Sequence, residues 1–227
     1  MNFLQLVQRL RKETRRSGAP ITTTVGLIND DADLVNWIND AWIELQRREC
    51  GWTWLQAELD GQTTVGVANY AASTLSLLAT DFGRWYPAAR PNYIVTAGLQ
   101  PLRNYALRWL PYDAFRERFE INPPALGSPA YWAVGPDDTM RFGPTPNEAY
   151  AVRAQYFKLP QPLLTDASVP NFGAEYHMIL VWRALMECAS VDAATEVYSR
   201  ALANYTNLES EVVRRYGPRM SFLPVAL

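Results

Sequence analysis

Apolar positions recur at helical spacing over both ends of the chain and lose that period in the middle. Phe3, Leu6, Val7 and Leu10 stand at i, i+3, i+4 and i+7 and predict a helix over residues 2–16, ended by Gly18 and Pro20. Residues 21–27 read as a Thr-rich loop. A second helix opens at Asn29-Asp30-Asp31, which offer a cap and first-turn acids to the positive helix end. Its buried stripe is Leu34, Trp37, Ile38, Ala41, Trp42 and Leu45, and it closes near Arg47-Arg48, ahead of Gly51. After Pro170 the helical period returns. Residues 174–192 are apolar on two sides, with Met178, Val181, Trp182 and Leu185 on one and Ile179, Leu180 and Ala184 on the other. Such a helix belongs at the centre of a bundle. The last helix spans about Ala194 to Tyr216, and Tyr198, Ala201, Tyr205, Leu208 and Val212 form a narrow seam along it. Gly217-Pro218 stops it.

The middle has a different pattern. Trp52, Trp54 and residues 63–67 read as strand pieces around a turn at Gly61, and residues 69–78 continue with small, β-tolerant side chains. Residues 79–100, with Trp85, Tyr86, Pro87, Pro91 and Gly98, read as a surface excursion holding short strands at most. Residues 102–109 predict a strand, and Pro111 opens a short helix through Phe119. The clearest hairpin lies at 130–142, where Gly135-Pro136-Asp137-Asp138 supplies the turn. Residues 149–158 form another strand, with Tyr150, Val152, Ala154 and Tyr156 on one face. Nine of the sixteen prolines fall between Pro123 and Pro170, which rules out long helices there. The expected class is α+β: a helical bundle from the N- and C-terminal helices, with an inserted antiparallel β-rich domain. The expected boundaries are 1–50 with 166–216 for the bundle, 51–165 for the insertion and 217–227 for a C-terminal docking tail.

Composition narrows the function. Of 227 residues, 48% are hydrophobic and 19% charged, a globular balance. A net charge of −2 argues against a whole-chain electrostatic grip on nucleic acid. Lys12 and Lys158 are the lysines and every other basic residue is arginine, which suits forked pairing with carboxylates at interfaces. Cys50 and Cys188 sit in predicted helices without a CxxC, as small buried hydrophobes do. The opening residues hold no long apolar stretch of a secretion signal, and no run approaches the roughly 18 apolar residues of a membrane span.

Catalytic chemistry finds little support. His177 is the one histidine, so a Ser/His/Asp triad would have to use it, and no Gly-x-Ser-x-Gly accompanies it. Asn29-Asp30-Asp31-Ala32-Asp33 resembles the start of a calcium loop, but the sixth position is Leu34 and the twelfth is Asp40. Asp137 and Asp138 lie in a turn, and no glycine pattern cradles phosphate. The expectation is no catalytic residue, no metal and no cofactor, so not an enzyme. Candidate interaction residues remain. Arg9, Arg11, Lys12, Arg15 and Arg16 make the second half of the first helix basic, fit for an acidic partner or passing DNA. Tyr198, Tyr205, Leu208 and Val212, with Arg214, Arg215 and Arg219, are candidates for a subunit or partner interface. Phe222, Leu223, Val225 and Leu227 follow a finished helix, and dock either on the chain's own β part or on a neighbour.

The order of these segments resembles the head-to-tail adaptor proteins of tailed bacteriophages. The matching residues are Phe3-Leu4-Gln5-Leu6-Val7-Gln8-Arg9-Leu10, Leu34 through Gln46, Trp52-Thr53-Trp54-Leu55, Arg141 through Pro146, Tyr156 through Leu163 and Tyr176 through Ala184. These are packing patterns, spread over most of the chain and weakest over 72–128. The resemblance implies a structural virion protein at the head–tail junction, assembled in the host bacterial cytoplasm. It implies a ring, commonly of twelve copies, that binds the portal, extends the DNA channel and meets a tail or nozzle protein. Its partners would be itself, the portal and the tail, with non-specific contact to DNA and no membrane. The alternatives are another neck or tail subunit, such as a tail-tube or tail-completion protein, and a small hydrolase using His177.

Overall fold

A computed structural model describes residues 1–16, 18–48, 51–76, 80–85, 93–96, 105–122 and 125–217, with backbone alone for 93–96. The chain divides into two compact units, Met1–Trp54 with Pro160–Leu227, and Leu55–Leu159.

The first unit is helical. α1 (Phe3–Thr14) opens on a capping box: Asn2 accepts from the Gln5 amide while the Gln5 side chain accepts from the Asn2 amide. It ends at Arg15, which adopts a left-handed φ of 55°. The connection to α2 (Asn29–Arg48) runs back along α1. Arg11 donates to the Ala19 carbonyl, and Gln8 donates to that of Ile21. Thr24 gives both its amide and its hydroxyl to one Asp166 oxygen, at 2.6 and 2.5 Å. α5 (Met178–Val191), the central helix, packs against α1, α2 and α6 (Thr195–Tyr216). Its two apolar sides are buried through Ile179, Leu180, Val181, Ala184, Leu185 and Met186. Burying apolar surface on both sides at once is what places it at the centre. Trp182 and Trp37 are only half-buried, the latter under the Arg16 guanidinium.

Trp52 and Trp54 are not strand residues. A 3-10 turn, Thr53–Leu55, stacks their rings 4.3 Å apart. Trp54 then meets Phe172 at 5.2 Å and Tyr216 at 5.1 Å, and Phe172 stacks on Trp42 at 5.6 Å. Aromatic rings from four stretches of chain therefore close one end of the helical core, and this packing overrides the alternating Trp-x-Trp pattern.

The second unit is two sheets around one core. The first sheet runs β1 (Gln56–Gln62), β9 (Tyr150–Lys158), β4 (Tyr93–Thr96), β5 (Tyr105–Ala106), with β3 (Phe82–Trp85) also on β9. The second runs β2 (Asn69–Tyr70), β8 (Met140–Gly143), β7 (Tyr131–Val134), β6 (Arg108–Trp109). All pairings are antiparallel except β6 with β7. β9 is central and alternates as the sequence predicts, burying Tyr150, Val152, Ala154 and Tyr156 against Trp132, Met140 and Phe142. The short helix α3 (Ala72–Leu75) follows β2, where a continuous β-tolerant stretch was expected. α4 (Tyr112–Arg116) continues as a π-helical turn, Glu117–Ile121.

Four further expectations for this unit need correction. Residues 63–67 are not a strand but the turn-bearing connection between β1 and β2. Gly61 is not a turn but sits inside β1, opposite Val152. A Cβ there would press on the Leu75 backbone, 2.9 Å from its carbonyl carbon. The predicted strand 102–109 is broken at buried Leu107, where the chain passes from one sheet to the other; residues 102–104 lie outside the described residues. Trp85 is core rather than surface, 5% exposed, and its indole nitrogen donates to the Asp138 carbonyl.

Candidate functional site

The groups that could carry chemistry are occupied structurally. His177 is 1% exposed. Its Nε2 donates to the Phe172 carbonyl at 3.0 Å, and its Nδ1 lies 2.8 Å from the Met1 amine, which donates to it. Burial, with the nearby amino-terminal charge, holds its pKa below the ordinary value despite the bond to Phe172. Both ring nitrogens are bonded to main-chain groups, so the ring acts here as a packing element, and neither nitrogen is placed against a serine hydroxyl as a triad requires. Cys188 is buried and its thiol is pushed up to about 11 by that burial, so it stays protonated. Cys50 lies outside the described residues. The acids at the start of α2 face cations: Asp31 pairs with Arg11 at 3.4 Å and Asp30 with Arg16 at 3.5 Å. Among the described residues no group of three or more His, Cys, Asp or Glu could hold a metal ion.

The basic stretch of α1 is smaller in space than in sequence. Arg9 pairs with Glu13 at 2.8 Å, and Arg16 reaches Asp192 at 3.3 Å as well as Asp30. Lys12 and Arg15 are exposed and have no ion-pair partner among the described residues. They are the free cations of that face.

The α6 seam is filled from within the chain. Tyr205 is 6% exposed and Val212 fully buried, Leu208 is half-buried, and Tyr198 faces solvent. Tyr205 receives a hydrogen bond from Arg48, whose guanidinium also pairs with Glu209 at 2.6 Å. Tyr205 and Val212 are thus buried within the chain itself, while Tyr198 is exposed. Leu202, one turn from Tyr198, and Val213, near the other end of α6, lie outside the predicted seam and are exposed. Arg214 is exposed, and Arg215 pairs with Glu175 at 3.2 Å while lying over Tyr176 and Tyr216. Arg219, Phe222, Leu223 and Leu227 lie outside the described residues.

Other exposed apolar groups were not singled out from the sequence. Val25, Ile28, Leu164 and Val169 stand on the two loops that Thr24 and Asp166 tie together. Val65, Val67 and Leu126 flank the Pro146 turn of the β unit, where the Gly66 amide donates to Pro146 and the Gly127 amide to Thr145. A long exposed loop carrying apolar side chains was the available signal. Both sets suit protein contact rather than a small ligand.

A family model, that of the SU10 adaptor protein, matches residues 1–221. The chain belongs to that family. The match covers both units and agrees with the resemblance to phage head-to-tail adaptors. Membership points to a structural, non-enzymatic role, to a component of the virion and to contacts with other head or tail proteins. No curated protein matches the adaptor chain. Among its described residues no helix is long and apolar enough to cross a membrane.

Proposed function

We propose that the chain is one subunit of a ring, commonly of twelve copies, that joins the portal to the tail and extends the DNA channel. The observation that carries this reading is the adaptor-family match across residues 1–221. The occupied chemistry around His177 and Cys188 agrees with it. The helical unit contacts the portal and neighbouring copies, and the β unit presents its loop ends toward the tail. Tyr198, Leu208, Arg214 and Arg215 on α6, with Arg219, Phe222, Leu223 and Leu227 after it, contribute to that assembly. DNA in the channel makes non-specific contact with arginine side chains. The test mixes the purified chain with its portal and images the product. A ring added beneath the portal is expected; a portal that remains bare overturns the proposal.

A further inference from the structure

The exposed faces of α1 and α2 carry opposite charge. On α1 the outward stripe holds Arg9, Lys12 and Arg15, and its one nearby acid, Glu13, already bonds Arg9 and Arg200. On α2 the outward stripe holds Asp33, Asn36 and Asp40, with no cation until Arg47. Asp33 and Asp40, like Lys12 and Arg15, have no ion-pair partner among the described residues. Counting the Glu13-bonded Arg9, the basic stripe covers six residues, about 9 Å, beside about 10 Å for the seven from Asp33 to Asp40; the free cations Lys12 and Arg15 lie within about 5 Å of each other along the axis, at the C-terminal end of α1. Within one copy they do not meet, since the α1–α2 ion pairs are Arg11–Asp31 and Arg16–Asp30.

Placing α1 on α1, or α2 on α2, would set like charge against like, which disfavours such contacts between identical copies. Placing α1 on α2 sets a basic face against an acidic one, with the long Lys12 and Arg15 side chains able to reach toward carboxylates on either side. Repeated from copy to copy, that contact is head-to-tail, the kind that closes into rings.

We infer that the α1 face of one copy docks on the α2 face of the next, through Lys12 and Arg15 against Asp33 and Asp40. This rests on the ring proposal and deepens it by assigning the two sides of the subunit contact. The occupant is a second copy of this chain, not DNA, because every copy carries an acidic α2 face of opposite sign to the α1 face.

The test uses full-length chain with its portal and counts rings by imaging and sedimentation. Lys12→Glu with Arg15→Glu makes both faces acidic; Asp33→Lys with Asp40→Lys makes both basic. Each variant alone is expected to lose ring formation by at least about tenfold. An equimolar mixture is expected to restore it, because alternating copies again set acid against base. Wild-type rings should loosen between about 0.1 M and 1 M salt, over which the screening length falls from about 10 Å to about 3 Å. Circular dichroism checks that the variants fold; should a reversal unfold, the neutral Lys12→Gln with Arg15→Gln and Asp33→Asn with Asp40→Asn replace it, with a smaller expected loss on each side. Variants that assemble like wild type, a mixture of folded reversed variants that fails to recover, or a wild-type product that stops at two copies overturns the inference. Wild-type chain that forms no ring on its portal sinks the ring proposal itself, which separates the two failures.

Discussion

Replacing Gly61 by alanine tests the placement of β1 directly. Gly61 pairs with Val152 at the sixth position of a seven-residue ladder, and its Cα faces the backbone of Leu75, the last residue of α3. An added methyl would overlap the Leu75 carbonyl and lie 3.0 Å from its Cδ2. The carbonyl cannot swing away without moving α3, so the cost is that of overpacking, about 1–3 kcal/mol. Alanine in a strand interior recovers about 0.5–1 kcal/mol relative to glycine. At mid-range, about 2 less about 0.75, the net loss is about 1 kcal/mol, or a Tm lowered by about 5 °C for a unit near 100 residues. Calorimetry on the full chain reads it. Gly66 provides the contrast. No atom lies within 4 Å of a Cβ there, but its φ is 78°. Asparagine should therefore be tolerated better than alanine at 66, and worse than alanine at 61. A Gly61→Ala protein that melts at or above wild type would mean that the residue is in an open turn, as the sequence pattern alone suggested, and would refute the packing.

Further outcomes are expected. Deleting residues 218–227 should leave the melting temperature near wild type and weaken assembly on the portal; a large loss of thermal stability would place the tail in the core instead. Buried neutral His177 has a lowered pKa, so below about pH 6.5 the unfolded chain binds the extra proton and stability falls with pH. A His177→Asn variant should lose that part of the acid dependence, which pH-resolved urea unfolding would reveal; identical slopes would contradict it. Ala193, between α5 and α6, adopts a φ of 51°. Ala193→Gly should raise stability by up to about 1 kcal/mol, the left-handed strain removed less the added chain entropy; a lower melting point would count against the geometry.

What the sequence disclosed was local. The i, i+3, i+4, i+7 spacing of α1, the two-sided apolar pattern of α5 and the alternation of β9 each arise from residues a few positions apart, and each appears in the structure. The misreadings were long-range. Trp52 and Trp54 alternate like strand residues but answer to Phe172 and Tyr216, more than a hundred positions away. Gly61 is required by Leu75, and the break at Leu107 by a change of sheet. The same holds for the candidate interface. Five cations within eight residues read as one basic patch, yet Arg16 pairs with Asp192 and Arg11 with Asp31. Periodicity located the α6 seam but could not show that Tyr205 and Val212 are buried within the chain while Tyr198, Leu202 and Val213 are exposed.

The inserted unit leaves and re-enters the helical one through strands that lie side by side, with Gln56 opposite Phe157. The halves of the helical unit are thus interrupted at one spot in space, although a hundred residues separate them in sequence. Recombination between related genes can exchange everything between those two strands as a cassette. The exchanged piece needs only a terminal strand pair of the same spacing, and the helical core keeps every one of its own contacts. The two units of this adaptor can therefore diverge in sequence at different rates, one around its own sheets and the other around its own helices.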